Sequence, residues 1–102
     1  MKKIEIILPS SGKRVVMREA TGLDEWAASR KFLEKSDDEK KMEPFELIAR
    51  CIEIEEQKVS GYEELLKLPS KDLEFLLLAY NRLNTLTQEE IKKLDNFFHK
   101  AA

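Results

Sequence analysis

The stretch Ser10-Ser11-Gly12-Lys13 is the part of the sequence closest to a nucleotide-binding motif, because Gly-Lys after small residues is typical of a phosphate-binding loop. That loop also needs a glycine five residues before the Gly-Lys pair and a Ser or Thr after the lysine, which reaches magnesium. Ile7 occupies the first of these positions and Arg14 the second. The motif is incomplete, and Gly12 is better explained as the residue that takes a positive φ in a hairpin turn.

The other residue types that do chemistry predict neither catalysis nor a metal site. His99 is the single histidine and has no cysteine or second histidine to complete a metal site. Cys51 lies in an apolar helical stripe without a histidine at helical spacing, which predicts a buried, inert thiol. The carboxylates of SDDEKK and IEIEEQK are mixed with lysines in segments that look solvated, where acid/base catalysis is not favoured. We therefore predict a protein that is not an enzyme, with no catalytic residue, no cofactor and no metal.

The composition predicts a single domain, residues 1–102, that binds a protein or a small molecule. Of the 102 residues 42% are hydrophobic, which is enough for one modest core. The formal net charge of -2 argues against a general electrostatic attraction to nucleic acid or to an anionic membrane. Cys51 has no partner for an internal disulfide, and no apolar run approaches the roughly 20 residues that span a bilayer. These features predict a protein of the reducing cytoplasm.

The elements that must position these residues begin with an antiparallel hairpin at about residues 4–19. Ile4–Leu8 and Arg14–Glu19 are rich in β-branched and apolar residues, and the turn-forming PSSGK lies between them. Val15 and Met17 share one face by the two-residue period of a strand. One face of the hairpin is therefore predicted to be buried and the other to be mostly solvated.

A first helix is predicted to start at a cap formed by Thr21 or Asp24 and to run through Trp26 to about Glu34. One stripe of this helix consists of Leu23, Trp26, Ala27 and Arg30. The segment Lys35–Glu43 has no periodic apolar positions, which predicts a solvated loop or a frayed turn.

A second helix is predicted to begin near Pro44, whose missing N–H costs nothing in a first turn. Its buried stripe is predicted to consist of Phe45, Ile48, Ala49 and Ile52. The alternation over Ile52–Val59 favours a short strand or an irregular extended piece. Ser60 and Glu63 have the spacing of a capping box, which predicts a short helix over Tyr62–Leu68.

The last two helices are predicted to be an antiparallel pair, because only a short connector separates them. Ser70 is predicted to cap the first of the two, whose apolar positions exceed what one face can supply: Leu73, Phe75, Leu76, Leu77, Leu78, Ala79, Tyr80 and Leu83. Such a helix is either the central core element or has a second face that meets a partner. Thr87 and Glu90 repeat the capping-box spacing before the stripe Ile91, Leu94, Phe97 and Phe98.

These elements together predict an α+β fold, in which the N-terminal β-hairpin packs on a small bundle of four to five helices at about residues 22–99, with Leu73–Leu83 as the central helix. Aromatic residues dominate interface hot spots, although a domain this small also needs them for its own core. We expect most of them in the core and one or two at a partner. The aromatic candidates are Trp26, Phe75, Tyr80, Phe97 and Phe98.

Two segments carry a resemblance to a known family. LPSSGKRVVMREATGLDE (Leu8–Glu25), a strand, a turn, a second strand with MRE and then a TG-x-D-E helix start, resembles the opening of phage tail assembly chaperones. GYEELLKLPSKDLEFLLLAYNRLN (Gly61–Asn84) is similar to that family's L-x-x-LP-x-x-D step into a hydrophobic helix. A phage baseplate accessory family begins with a similar LPS-x-GK strand and turn. The resemblance therefore places the chain in tail morphogenesis and leaves these two families open.

The resemblance to the chaperones implies a small protein in the cytoplasm of the infected or lysogenic cell. Such a protein binds the tape-measure protein, keeps it soluble and helps tail-tube subunits to polymerise around it, and it is absent from the mature virion. The alternatives are a structural tail or baseplate component and a generic protein-interaction domain, and a homo-oligomer is possible in each case. We expect the partner-binding residues to be Phe75, Leu78, Tyr80, Phe97 and Phe98.

Overall fold

The predicted N-terminal hairpin is present, and it forms one half of a four-stranded sheet that is followed by helices. The computed structural model describes residues 1–101. Its strands are β1 (Lys3–Ile7), β2 (Arg14–Arg18), β3 (Ile52–Ile54) and β4 (Gln57–Lys58). Its helices are α1 (Gly22–Lys31), α2 (Asp37–Lys40), α3 (Glu43–Cys51), α4 (Tyr62–Leu65), α5 (Ser70–Asn84) and α6 (Gln88–Ala101). The prediction of an α+β fold with an N-terminal β-hairpin is confirmed.

The sheet is antiparallel throughout, with strand order β1-β2-β3-β4. Met17 lies opposite both Ile4 and Ile52, and Val15 lies opposite Ile54 on the neighbouring strand. This register aligns the apolar residues of three strands on one face, as the two-residue period requires. Of the two alternatives for residues 52–59, the structure has the short strand, β3, and β4 adds a second hairpin that the alternation did not predict.

The core lies between the inner face of the sheet and helices α3, α4 and α5. Its buried residues are Leu8, Val15, Met17, Ile48, Ala49, Ile52, Leu65 and Leu76. The prediction that Leu73–Leu83 forms the central helix is wrong, because α3 packs against α1, α4 and α5 and also leads directly into β3. Pro44 lies in the first turn of α3, as predicted.

Helix α1 buries a different face from the apolar stripe predicted for it. Thr21 caps this helix in a reciprocal capping box with Asp24, which confirms the predicted start. The face that turns inward contains Asp24 and Ala28, whereas Leu23 and Trp26 are exposed. The physical reason is that two arginines bind the Asp24 carboxylate inside the protein.

Two of the local start signals act differently from the prediction. Gly61, and not Ser60, is the N-cap of α4, and the Ser60 hydroxyl instead donates to the Glu64 carboxylate at 2.6 Å. The Tyr62 amide of α4 donates to Glu46 of α3 at 3.1 Å, so a carboxylate from another helix satisfies it. Ser70 is the first residue of α5, whose N-cap is Pro69.

Two further predictions are corrected by the outer helices. The segment predicted as a solvated loop, Lys35–Glu43, is exposed but contains the single turn α2, which Ser36 caps.

Helix α6 begins with the predicted capping box of Thr87 and Glu90. The predicted antiparallel pairing of α5 with α6 is wrong, because no other element of residues 1–101 packs along α6. The radius of gyration is accordingly 15.9 Å, against about 13 Å for a compact chain of this length.

Candidate functional site

The Gly-Lys stretch is the turn of the hairpin. Gly12 has φ 73°, a conformation that favours glycine, and its amide donates to the carbonyl of Leu8 at 2.9 Å. The Leu8 amide donates to the carbonyl of Lys13 at 2.8 Å and closes the loop. The turn interpretation of this stretch is confirmed.

The amides that a phosphate would need in this turn are already occupied by Asp72. The Asp72 carboxylate accepts from the amide of Ser10 at 2.8 Å and from the amide of Ser11 at 3.1 Å, and Asp72 is fully buried. Burial acts to raise the pKa of Asp72, but these hydrogen bonds and the charge of Lys13 outweigh it and lower the pKa below its usual value. The chain therefore supplies its own anion to this loop.

Asp72 also joins the two segments that carry the family resemblance. Ser10 and Ser11 belong to the LPSSGK turn, and Asp72 is the acid of the LPSKD step at the start of α5. The contact spans 62 residues of sequence and fixes the start of α5 against the hairpin. These two short patterns thus supply the two sides of one contact, the turn amides and the carboxylate that accepts from them.

Asp24 is the centre of a second charged cluster. Its carboxylate accepts from Arg18 at 2.7 and 3.1 Å and from Arg50 at 3.2 Å, and only 3% of Asp24 is exposed. The hydrogen bond from Arg18 is the main reason that the pKa of Asp24 lies far below its usual value, and bonds from Thr21 add to it against the effect of burial. Since a carboxylate held so firmly ionised is a poor general base, this cluster serves the fold.

The cleft beside this cluster also lacks a catalytic arrangement. It has a volume of about 310 Å³ and lies between the outer face of the sheet and α3, where Arg18, Arg50 and Lys58 face Glu46 and Glu53. Both arginines are bound by a buried carboxylate, and Glu46 is bound by a lysine. The charges of its lining are therefore largely satisfied within the chain.

Cys51 is a buried thiol, as predicted. Burial raises its pKa to about 11, so the thiolate is scarce at neutral pH and the side chain is a poor nucleophile. His99 lies in the last turns of α6, on an exposed helix. Within residues 1–101 no group of three metal-ligating side chains comes together.

The apolar face of α6 is the main surface left without an internal partner. We define it as Ile91, Leu94, Phe97 and Phe98, which are 43%, 51%, 67% and 64% exposed. The two phenylalanine rings contact each other edge to face, with their centroids 6.0 Å apart. An isolated helix of this length is only marginally stable in water, and most helices are stabilised by packing an apolar face. The α6 face is therefore equipped to bind another protein.

The predicted partner-binding residues are divided between two helices that do not pack together. Phe97 and Phe98 lie on the α6 face, whereas Phe75 and Leu78 are exposed on α5. Tyr80 is half buried against the core, and burial raises the pKa of its hydroxyl to about 12. Tyr80 thus has a structural contact of its own, and the exposed set consists of the other four residues.

The prediction missed a second exposed apolar surface, on α1. We define the α1 stripe as Leu23, Trp26 and Leu33, the last of which lies in the turn directly after the helix. Arg30 lies over the Trp26 ring at 5.0 Å from its centroid, an arrangement that favours a cation on an aromatic face. The helical spacing of these residues was visible in the sequence, but which face of α1 is buried depends on the distant partners of Asp24.

Comparisons with protein-family models, with curated proteins and with solved structures found no match. Within residues 1–101 no helix is both long enough and apolar enough to cross a membrane. The function is therefore inferred from the two exposed apolar surfaces and from the resemblance of the two segments joined by Asp72.

Proposed function

We propose that this protein is a phage tail assembly chaperone, which binds the tape-measure protein in the host cytoplasm and assists assembly of the tail tube without catalysis. The observation that carries the proposal is the α6 face, which presents Phe97 and Phe98 to solvent at the end of the chain. Large exposed apolar surfaces mark sites of protein interaction. The resemblance of Leu8–Glu25 and Gly61–Asn84 to tail assembly chaperones supplies the class of partner.

The α6 face suits a helical partner. Ile91, Leu94 and Phe98 recur at helical spacing, which is how an amphipathic helix presents anchors to a groove or to another helix. A tape-measure protein with coiled-coil segments offers such a surface. Phe97 and Phe98 are the expected hot spots, since large aromatic side chains dominate interface energies.

The test is co-expression with the longest coiled-coil protein encoded beside this chain, followed by affinity purification and size-exclusion chromatography with light scattering. We expect a soluble complex, and we expect the partner to be insoluble when it is expressed alone. Phe98→Glu should abolish co-purification, because a charge then enters the apolar contact. Asn96→Glu is the matched control, since Asn96 lies on the opposite side of α6 and carries the same new charge. If both proteins are soluble and elute separately, the chaperone proposal is wrong.

Mass spectrometry of purified phage particles separates the chaperone from a structural component. A chaperone is absent from the particle, whereas a tail or baseplate component is present at a stoichiometric level. Detection of this chain at that level would replace the chaperone proposal with the structural one.

A further inference from the structure

The chain exposes two apolar helical surfaces, the α6 face and the α1 stripe. Trp26 is the only tryptophan and is 59% exposed, and Leu23 and Leu33 beside it are 67% and 62% exposed. Each surface is flanked by charged residues along a helix. Two such surfaces on one protein raise the question of whether they fit each other.

If α6 packed on α1 of the same chain, the two helices would have to run parallel. The Ala20 amide donates to the Asn84 side chain at 2.7 Å, which places the end of α5 beside the start of α1. Ala20 lines one cleft together with Thr87, just before α6, and Glu90 in its first turn, so α6 also starts beside the start of α1. Folding α6 onto its own α1 would therefore bring two helix N-termini and their acidic first turns together. Both the helix dipoles and the like charges oppose that arrangement.

An antiparallel arrangement reverses this electrostatic penalty. Helix α1 has Glu25 in its first turn and Arg30 in its last turn. Helix α6 has Glu89 and Glu90 in its first turn. Antiparallel packing places the acidic start of α6 beside the basic end of α1, and it pairs opposite ends of the two dipoles. Because a single chain starts both helices at the same place, its own α6 cannot take this orientation, whereas α6 of a second copy can.

The area of the two surfaces fits a reciprocal dimer. The α1 stripe and the α6 face together contain seven large apolar residues, each between 43% and 67% exposed. At about 100 Å² for each residue they offer roughly 700 Å² per chain, close to the ~800 Å² per partner of a standard interface. A contact made in one direction only would use about half of this area.

We propose that the protein forms a homodimer in which α6 of each copy lies antiparallel on the α1 stripe of the other copy. The dimer uses the same α6 face as partner binding in the proposed function, on which this inference rests. A tail partner must therefore compete with the second copy for that face. Its test requires this chain alone. A failure to dimerise therefore leaves co-purification with the tape-measure protein to be judged separately.

Trp26 reports the proposed contact directly. Light scattering and tryptophan emission are measured on the intact chain from about 1 μM to about 100 μM, a range in which interfaces of this size associate. We expect the mass to double as concentration rises, with emission moving to shorter wavelength and with weaker acrylamide quenching. Phe98→Glu should raise the dissociation constant at least about tenfold, and Asn96→Glu should leave it unchanged. A monomer at every concentration overturns the proposal, and so does a dimer in which Trp26 stays equally accessible.

A mixing experiment identifies which surfaces meet. Phe98→Glu removes the α6 face and Trp26→Lys removes the α1 stripe, and both residues are exposed, so circular dichroism should show both variants folded. Each variant alone should be monomeric. Their mixture should form a dimer, because one contact is intact and the other brings Lys at position 26 close to Glu at position 98. The tryptophan of the Phe98→Glu chain should be protected in that mixture. If mixing restores no dimer, the α1 stripe is not the site that α6 binds.

Discussion

At the scale of single residues, two of the buried carboxylates, Asp24 and Asp72, are expected to stabilise the fold through their charge. Asp24 binds Arg18 and Arg50, and Asp72 binds the amides of the hairpin turn. Their pKa values lie below the ordinary value of 3.8 when the protein is folded. A lowered pKa in the folded state means that each carboxylate stabilises the fold above the unfolded pKa and loses this effect as pH falls through the folded pKa.

Asp24→Asn should destabilise the protein at neutral pH. The change keeps the size and the capping oxygen but removes the charge that two arginines bind. We expect a loss of about 2–3 kcal/mol in the free energy of unfolding, less than for a fully buried ion pair because both arginines reach solvent. Urea unfolding from pH 7 to pH 2 measures it, and the difference from the wild type should shrink as pH falls below about 4.

Asp38→Asn is the control for this pH series. Asp38 lies on the exposed turn α2, where its side chain is 93% exposed and its ion pair with Lys41 is in contact with water. Exposed pairs contribute little to stability. A pH-independent loss in Asp24→Asn, or an equal loss in Asp38→Asn, would contradict the role given to Asp24.

At the scale of elements, the turn between β3 and β4 is built from unfavourable residues. Glu55 and Glu56 have φ of 50° and 67°, the left-handed conformation that two-residue hairpin turns require and that glycine or asparagine adopts most easily. The Glu55 side chain accepts from the amide of Arg14 at 3.0 Å, which ties the turn to β2. Within residues 1–101 no hydrogen bond of the Glu56 side chain offsets the energetic cost of its left-handed conformation.

Glu56→Gly should therefore stabilise the protein by about 0.5–1 kcal/mol. Glycine removes the steric cost of the positive φ, and the greater backbone entropy of glycine in the unfolded chain cancels only part of that gain. Thermal unfolding measures the effect. Gly12→Ala is the reverse comparison: a methyl group meets no atom there, but φ is 73°, so alanine should destabilise. Equal melting temperatures for wild type and Glu56→Gly would show that the turn relaxes without cost.

Some elements of the fold can be predicted from the local sequence, and others cannot. The hairpin, α3 and the start of α6 follow from local patterns, since alternation, Pro44 and the Thr87–Glu90 spacing act within a few residues. The orientation of α1 does not, because Asp24 is buried by Arg50, 26 residues away. The contact of Asp72 with the hairpin turn likewise joins residues that no local window contains. The exposed α6 face was predicted as a stripe, but its lack of an internal partner required the structure.

At the scale of the whole molecule, α6 extends from a body that is complete without it. The chain measures 52 by 34 by 20 Å, and among the residues whose burial is described the core contains none from α6. A chain that ends at Leu86 should therefore keep its melting temperature within a few degrees, because α6 contributes little buried area. It should also be monomeric at concentrations where the intact chain dimerises, and it should lose partner binding. Differential scanning calorimetry and light scattering measure these outcomes, and a truncated chain that fails to fold would show that α6 supports the body.

The hydrogen bonds between the hairpin turn and Asp72 can form only late in synthesis, because the hairpin is made before Asp72. Ribosomes add about 5–20 residues per second, so Asp72, which is 62 residues after Ser10, is made roughly 3–12 s later. A hairpin forms in microseconds, so β1 and β2 have ample time to pair before their anchor exists. Until β3 is made, the apolar face of Val15 and Met17 and the free edge of β2 are unprotected, a state in which strands pair with other chains. The nascent β1–β2 hairpin is thus prone to aggregate until the strand and helices that cover it have been made.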